Sequence, residues 1–161
     1  MRTLRKLLAN FMRRYRHRPQ WSFCWRVALE GVGVSVLVAI PLAVFGFDRK
    51  IETPIAQFAV FAVCVAPWFE TLLLQSLPIG IARLCGAGSG VQALSSIVPF
   101  FLLHAIEGVT AGLAAGMIGG LYFAFTYIRW RRVGWWSAFW VTTVSHGIRN
   151  LLAVFAMLAS R

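Results

Sequence analysis

The sequence predicts an all-α fold, a polytopic integral membrane helix bundle with about five transmembrane segments. Three observations carry that class. Only 13% of the 161 residues are charged and mean hydropathy is +0.72, which leaves too little polar surface for a soluble domain of this length. Apolar stretches recur at the length of about 20 residues that spans a bilayer. The basic residues are also distributed as a membrane topology requires.

Two regions are expected: a basic amphipathic cytoplasmic arm over 1–25, and a single membrane-embedded domain over 26–161. In the arm, Leu4, Leu7, Leu8, Phe11, Met12 and Tyr15 repeat at helical spacing between Arg and Lys residues. Such a helix lies flat on an anionic leaflet. The arm does not read as a secretory signal, because its basic stretch is too long and no small-residue cleavage site follows. The spans are placed near 27–47, 54–83, 91–106, 109–129 and 134–158. The second is long, and Pro67 and Pro78 are expected to kink it. The third is short enough to be tilted, broken or re-entrant.

The net charge of +11 resolves into topology once the charges are located. Eight basic residues precede the first span, Arg129, Arg131 and Arg132 lie between the fourth and fifth, and Arg83 closes the second. Arg49, Lys50 and Arg161 fall on the other side. The positive-inside rule then predicts a cytoplasmic N-terminus and an external C-terminus, and the short, compact chain suggests a prokaryotic cytoplasmic membrane. Trp21, Trp25, Trp130, Trp135 and Trp136 gather at the inner interface, as an aromatic belt does. The lipid bilayer, not nucleic acid, is the partner this charge implies. Cys24, Cys64 and Cys85 form no CxxC and are expected as free thiols. Gly108, Gly112, Gly116 and Gly120 recur every four residues, a stripe that lets a neighbouring helix approach closely.

Against this apolar background four polar residues stand out. Glu70 lies in APWFETLLLQSLP, His104 in PFFLLHAIEG, and His146 with Asn150 in VTTVSHGIRNLL. Ionisable groups inside a bilayer are costly and mark function. Glu70 is thirteen residues from Arg83, His104 thirteen from Val91, and His146 twelve from Gly134. At about 1.5 Å per residue all three reach one layer, about 18–20 Å from the inner interface. A carboxylate, two imidazoles and an amide at one depth are enough to activate a water and stabilise an oxyanion. Glu107 and Arg149 are expected to form a structural pair, and Glu30 to reach water near the inner end of its span.

The spacing within each motif is i,i+4, which puts Phe100 with His104, and His146 with Asn150, on one helical face. In order and spacing the chain resembles the CPBP family, the CAAX-protease and bacteriocin-processing intramembrane glutamic endopeptidases. That family shows EExxxR, FxxxH and HxxxN or HxxxD on separate helices. The resemblance covers about 54–158, the motif-bearing core. It implies an intramembrane peptidase that needs no metal or other cofactor and acts on a membrane-associated protein or peptide. Glu70, His104, His146 and Asn150 would be catalytic: Glu70 as base, His104 orienting it or the water, His146 and Asn150 donating to the oxyanion. The first motif departs from the pattern, with Thr71 in place of the second Glu and Gln75 in place of Arg. Both charges are missing together, and Thr71 with Gln75 is expected to keep a neutral hydrogen bond at the same place, supporting the site beside Phe100.

Other readings remain open. Glu70, His104 and His146 could instead hold a zinc ion with water as the fourth ligand, although no HExxH occurs. A rhomboid-like serine protease fits poorly, because AGSG at 87–90 lacks the first Gly of GxSG. An aspartyl dyad is impossible with Asp48 as the only Asp. A non-catalytic membrane scaffold or chaperone of the same fold is a further alternative. So is a transporter, against which the absence of an inverted repeat argues.

Overall fold

The computed structural model describes residues 14–15, 19–47 and 55–159. The arm helix expected over 4–12 and the loop charges Asp48, Arg49, Lys50 and Glu52 lie outside these residues. The described regular structure is entirely helical: α1 (Gln20–Val44), α2 (Ala56–Leu84), α3 (Ser89–Ala105), α4 (Ala111–Trp130) and α5 (Trp135–Ala159). All but α3 are long and apolar enough to cross a membrane. With 17 residues α3 is only about 25 Å long, yet it runs unbroken through Pro99. Pro19 leads into α1, so residues 20–25 of the expected arm are continuous with the first helix.

The prolines of α2 do more than kink it. Phe61–Val65 and Thr71–Ser76 are π-helical, and each stretch ends just before a proline, Pro67 or Pro78. Proline has no N–H and its ring crowds the carbonyl one turn back, so a wider turn relieves the clash. In the first stretch the Ala66 N–H reaches past Ala62 to the Phe61 carbonyl. A third π-helical stretch, Ala111–Met117, opens α4.

The helices α4 and α5 form the inside of the bundle, and α1, α2 and α3 pack around them. At the end where α1 begins, Phe23 meets Trp130 edge-to-face at 5.5 Å, so the start of α1 and the end of α4 lie together. There Ser76 Oγ and Tyr127 Oη are 2.7 Å apart, and Trp135 Nε1–H donates to Ser76 Oγ at 3.0 Å. This basic end carries Trp21, Trp25, Trp135 and Trp136 on its surface. Trp130, expected in the same belt, is buried against Phe23 instead. Tyr15, expected on the lipid-facing side of the arm, is 2% exposed and packs on Phe23 and Phe125. An aromatic ring this close to the core gains more from protein contacts than from the membrane surface. At the opposite, distal end the Thr110 hydroxyl donates to the Phe47 carbonyl and joins α4 to the end of α1.

The glycine stripe of α4 faces α3. A Cβ added at Gly116 would lie 2.9 Å from Phe101 Cα and 3.1 Å from His104 Cβ; one added at Gly112 would lie 3.0 Å from Ala105 Cα. One at Gly120 would meet Phe100 Cβ at 3.3 Å. The stripe therefore seats the helix that carries Phe100 and His104. Gly108 has a φ of +123°, which a side chain would strain, and turns the chain between α3 and α4.

Candidate active site

Residues from all five helices and the turn after α3 enclose a cavity of about 870 Å³ in the distal half of the bundle. Its walls are largely apolar, with Phe58, Phe61 and Met157 among them. On α2 and α5 the lining runs inward from the distal end and stops at Glu70 and Arg149, and α3 contributes His104. Asn150 and Glu107 also line it. This is the size and character of a small-molecule or peptide-segment pocket, with polar groups converging at one end.

Glu70 and His146 meet at that inward end. The Nε2 of His146 is 3.7 Å from Oε2 of Glu70, inside ion-pair range but longer than a hydrogen bond. Glu70 keeps 19% of its side chain exposed whereas His146 keeps 2%. His146 does not line the cavity. Its ring stacks on Phe123 of α4 at 4.1 Å and lies 5.7 Å from Phe100. Two aromatic rings thus hold the imidazole behind the carboxylate. His104 stacks on Phe100 at 4.6 Å, and its Nδ1 is 3.0 Å from the Phe100 carbonyl. A carbonyl only accepts, so Nδ1 carries a proton and donates to it.

Glu70 and His146 therefore meet at one depth, and His104 lines the cavity they border. His146, not His104, partners Glu70, and His104 faces the cavity. The reason is azimuthal: the face of α5 bearing His146 is turned onto α4, where Phe123 receives it.

Asn150 donates from Nδ2 to the Ala62 carbonyl at 2.8 Å. That carbonyl is orphaned by Pro67: Ala66 N–H reaches to Phe61, and the next residue has no N–H to give. Asn150 thus caps a broken turn of α2 and keeps one N–H for the cavity. Asn150→Ala should cost about 1 kcal/mol of stability, the usual effect of losing a hydrogen bond to a partly buried carbonyl. Thermal unfolding in detergent checks this, and an unchanged melting temperature would refute the capping role.

Arg149 departs from expectation most. Its Nη2 donates to Ser35 Oγ of α1 at 2.7 Å and to the Ala114 carbonyl of α4 at 2.8 Å, rather than pairing with Glu107. Gly31 and Gly119 make the slot: added Cβ atoms there would lie 3.6 Å from Nε and 3.2 Å from Cζ. The π-helical opening of α4 contains Ala114, and wide turns free carbonyls for such donors. Sequence reasoning passed over Arg149 as part of the site, although its i+3 spacing from His146 put it on the same face.

Thr71 and Gln75 are fully buried beside Glu70, but the hydrogen bond expected between them is absent. Among the described residues, the hydroxyl of Thr71 and both ends of the Gln75 amide have no hydrogen-bond partner. They lie in a π-helical stretch, where a residue four places on no longer stacks directly above. Among the described residues, no group of three or more His, Cys, Asp or Glu is arranged to hold a metal ion, so Glu70, His104 and His146 do not form a ligand set. No family model, curated protein or solved structure matches the chain.

Proposed function

We propose that this chain is an intramembrane endopeptidase that hydrolyses a peptide bond of a membrane-associated or C-terminally processed protein. The observation that carries the reading is the Glu70–His146 pair at the inward end of an apolar cavity. A carboxylate braced by an imidazole is suited to general acid–base work. Glu70 takes a proton from water, the hydroxide attacks the peptide carbonyl, and Glu70 returns that proton to the departing amine as the C–N bond breaks. His146 orients Glu70. His104 orients the attacking water. The remaining N–H of Asn150 donates to the oxyanion. The similarity of the FxxxH and HxxxN spacings to the CPBP family supports the same chemistry.

The test uses proteoliposomes holding the purified protein and a mixture of membrane-embedded peptides, with products read by mass spectrometry. Cleavage that disappears in Glu70→Gln supports the reading. A protein that binds these peptides and never cleaves them is a scaffold of this fold. Cleavage should also survive EDTA, because the Glu–water route draws on no ion. Loss with chelator and rescue by Zn²⁺ would instead establish a metallopeptidase.

We also propose that the basic end faces the cytoplasm of a prokaryotic cell, on the positive-inside rule. Cys85, exposed between α2 and α3 at that end, is a native probe. A membrane-impermeant maleimide should modify it in inverted membrane vesicles and not in intact spheroplasts. The opposite pattern reverses the topology.

A further inference from the structure

On α2, α3 and α5, six buried residues in the basic half of the bundle carry polar atoms with no hydrogen-bond partner among the described residues, and Glu70 Oε2 at their inward end has none either. The six are Thr71, Gln75, Ser96, Thr142, Thr143 and His146, the last through Nδ1. None is more than 5% exposed. They come from α2, α3 and α5, and the stretch Thr71–Ser76 packs against α3, α4 and α5.

Their positions follow one rule. On α3, Ser96 lies two i,i+4 steps toward the basic end from His104, with Phe100 between. On α5, Thr142 lies one such step from His146, and Thr143 beside it. On α2, Gln75 lies one wide turn from Glu70. Apart from Thr71, which adjoins Glu70, each helix therefore bears its unpartnered group on the face of its own site residue, displaced in the same direction. Beyond them, in the same direction, come the hydrogen-bonded Ser76, Tyr127 and Trp135.

Buried hydroxyls and amides in native interiors are satisfied by protein or by ordered water. An internal water needs two to four polar partners, and neutral donors and acceptors contributed by three packed helices supply them. Five of the six carry neutral hydroxyls or an amide, and the one carboxylate beside them, Glu70, sits at the end of the row rather than within it, which favours water over a cation. We propose that these residues hold a cluster of ordered water molecules inside the bundle, running from the Glu70–His146 pair toward Ser76 and Tyr127. The cluster's service to hydrolysis, as the store from which Glu70 draws water, rests on the peptidase reading. Its existence does not.

X-ray hydroxyl-radical footprinting of the full chain in lipid nanodiscs, with rapid transfer into ¹⁸O-water, tests the proposal. Phe100 and His146 are buried and lie outside the cavity lining, as does the core residue Phe23. In the wild-type protein Phe100 and His146 should be oxidised several-fold faster than Phe23. Gln75→Leu combined with Thr142→Val should abolish that excess while exposed Trp21 and Trp136 keep their rates. Phe100 labelled no faster than Phe23 in the wild type would overturn the proposal, whether or not the double variant folds. An excess that vanishes when Na⁺ replaces K⁺ would overturn it in favour of a bound cation. Interior labelling in a protein that cleaves nothing would sink the peptidase reading alone; cleavage with a dry Phe100 would sink the water cluster alone.

Discussion

Glu70→Gln should lower peptide cleavage by at least about 10²–10⁴-fold, the contribution typical of a positioned general base, while the protein stays folded in the membrane. Glutamine keeps the shape of the side chain and loses only its capacity to take a proton. It also tests the geometry: an amide can still approach His146 Nε2, which lies 3.7 Å from Oε2, so the bundle should melt near the wild-type temperature. Loss of the imidazole in His146→Ala removes the brace and opens a hole beside Phe123 and Phe100. That variant should lose both activity and stability, whereas Glu70→Gln should lose activity alone. The comparison is made by cleavage in proteoliposomes and thermal unfolding of the same preparations. Glu70→Gln cleaving at the wild-type rate would remove every hydrolytic version, since each depends on that carboxylate.

Gly116→Val should destabilise the bundle by about 3 kcal/mol or more, at the upper end of overpacking costs. Even the first added carbon would lie 2.9 Å from Phe101 Cα, and backbone cannot swing aside as a flexible side chain does. Helices α3 and α4 would have to separate, and His104, whose Cβ is 3.1 Å from the same point, would leave the cavity wall. Activity and stability should therefore fall together. Gly33→Ala and Gly80→Ala are the controls, because nothing lies within 4 Å of an added Cβ at either. Neither should be destabilised, since Ala in a helix interior is favoured over Gly by about 0.5–1 kcal/mol. Unfolding in detergent distinguishes them, and a Gly116→Val protein that melts with the controls would show that α3 is not seated on this stripe.

The sequence by itself determined the helical membrane class, the number of helices, the grouping of basic residues at one end and the common depth of Glu70 and His146. These are properties of single helices. Hydropathy is averaged over many residues, and depth accumulates at about 1.5 Å per residue, so an error of one or two positions does little harm. Azimuth is less forgiving, because one residue turns a helix by about 100°. The π-helical stretches of α2 and α4 shift that register further, and prolines explain only the two in α2. The contacts that depend on azimuth were accordingly left to the tertiary structure. Packing against Phe123 decided that His146 and not His104 stands behind Glu70. The carbonyl orphaned by Pro67 decided where Asn150 donates. The glycine slot between α1 and α4 decided that Arg149 bonds Ser35 and Ala114, and the wide turn at Thr71–Ser76 decided that Thr71 and Gln75 do not bond each other. Local periodicity carries residues to a depth; only neighbouring helices, through steric fit and unsatisfied backbone groups, choose what each one faces.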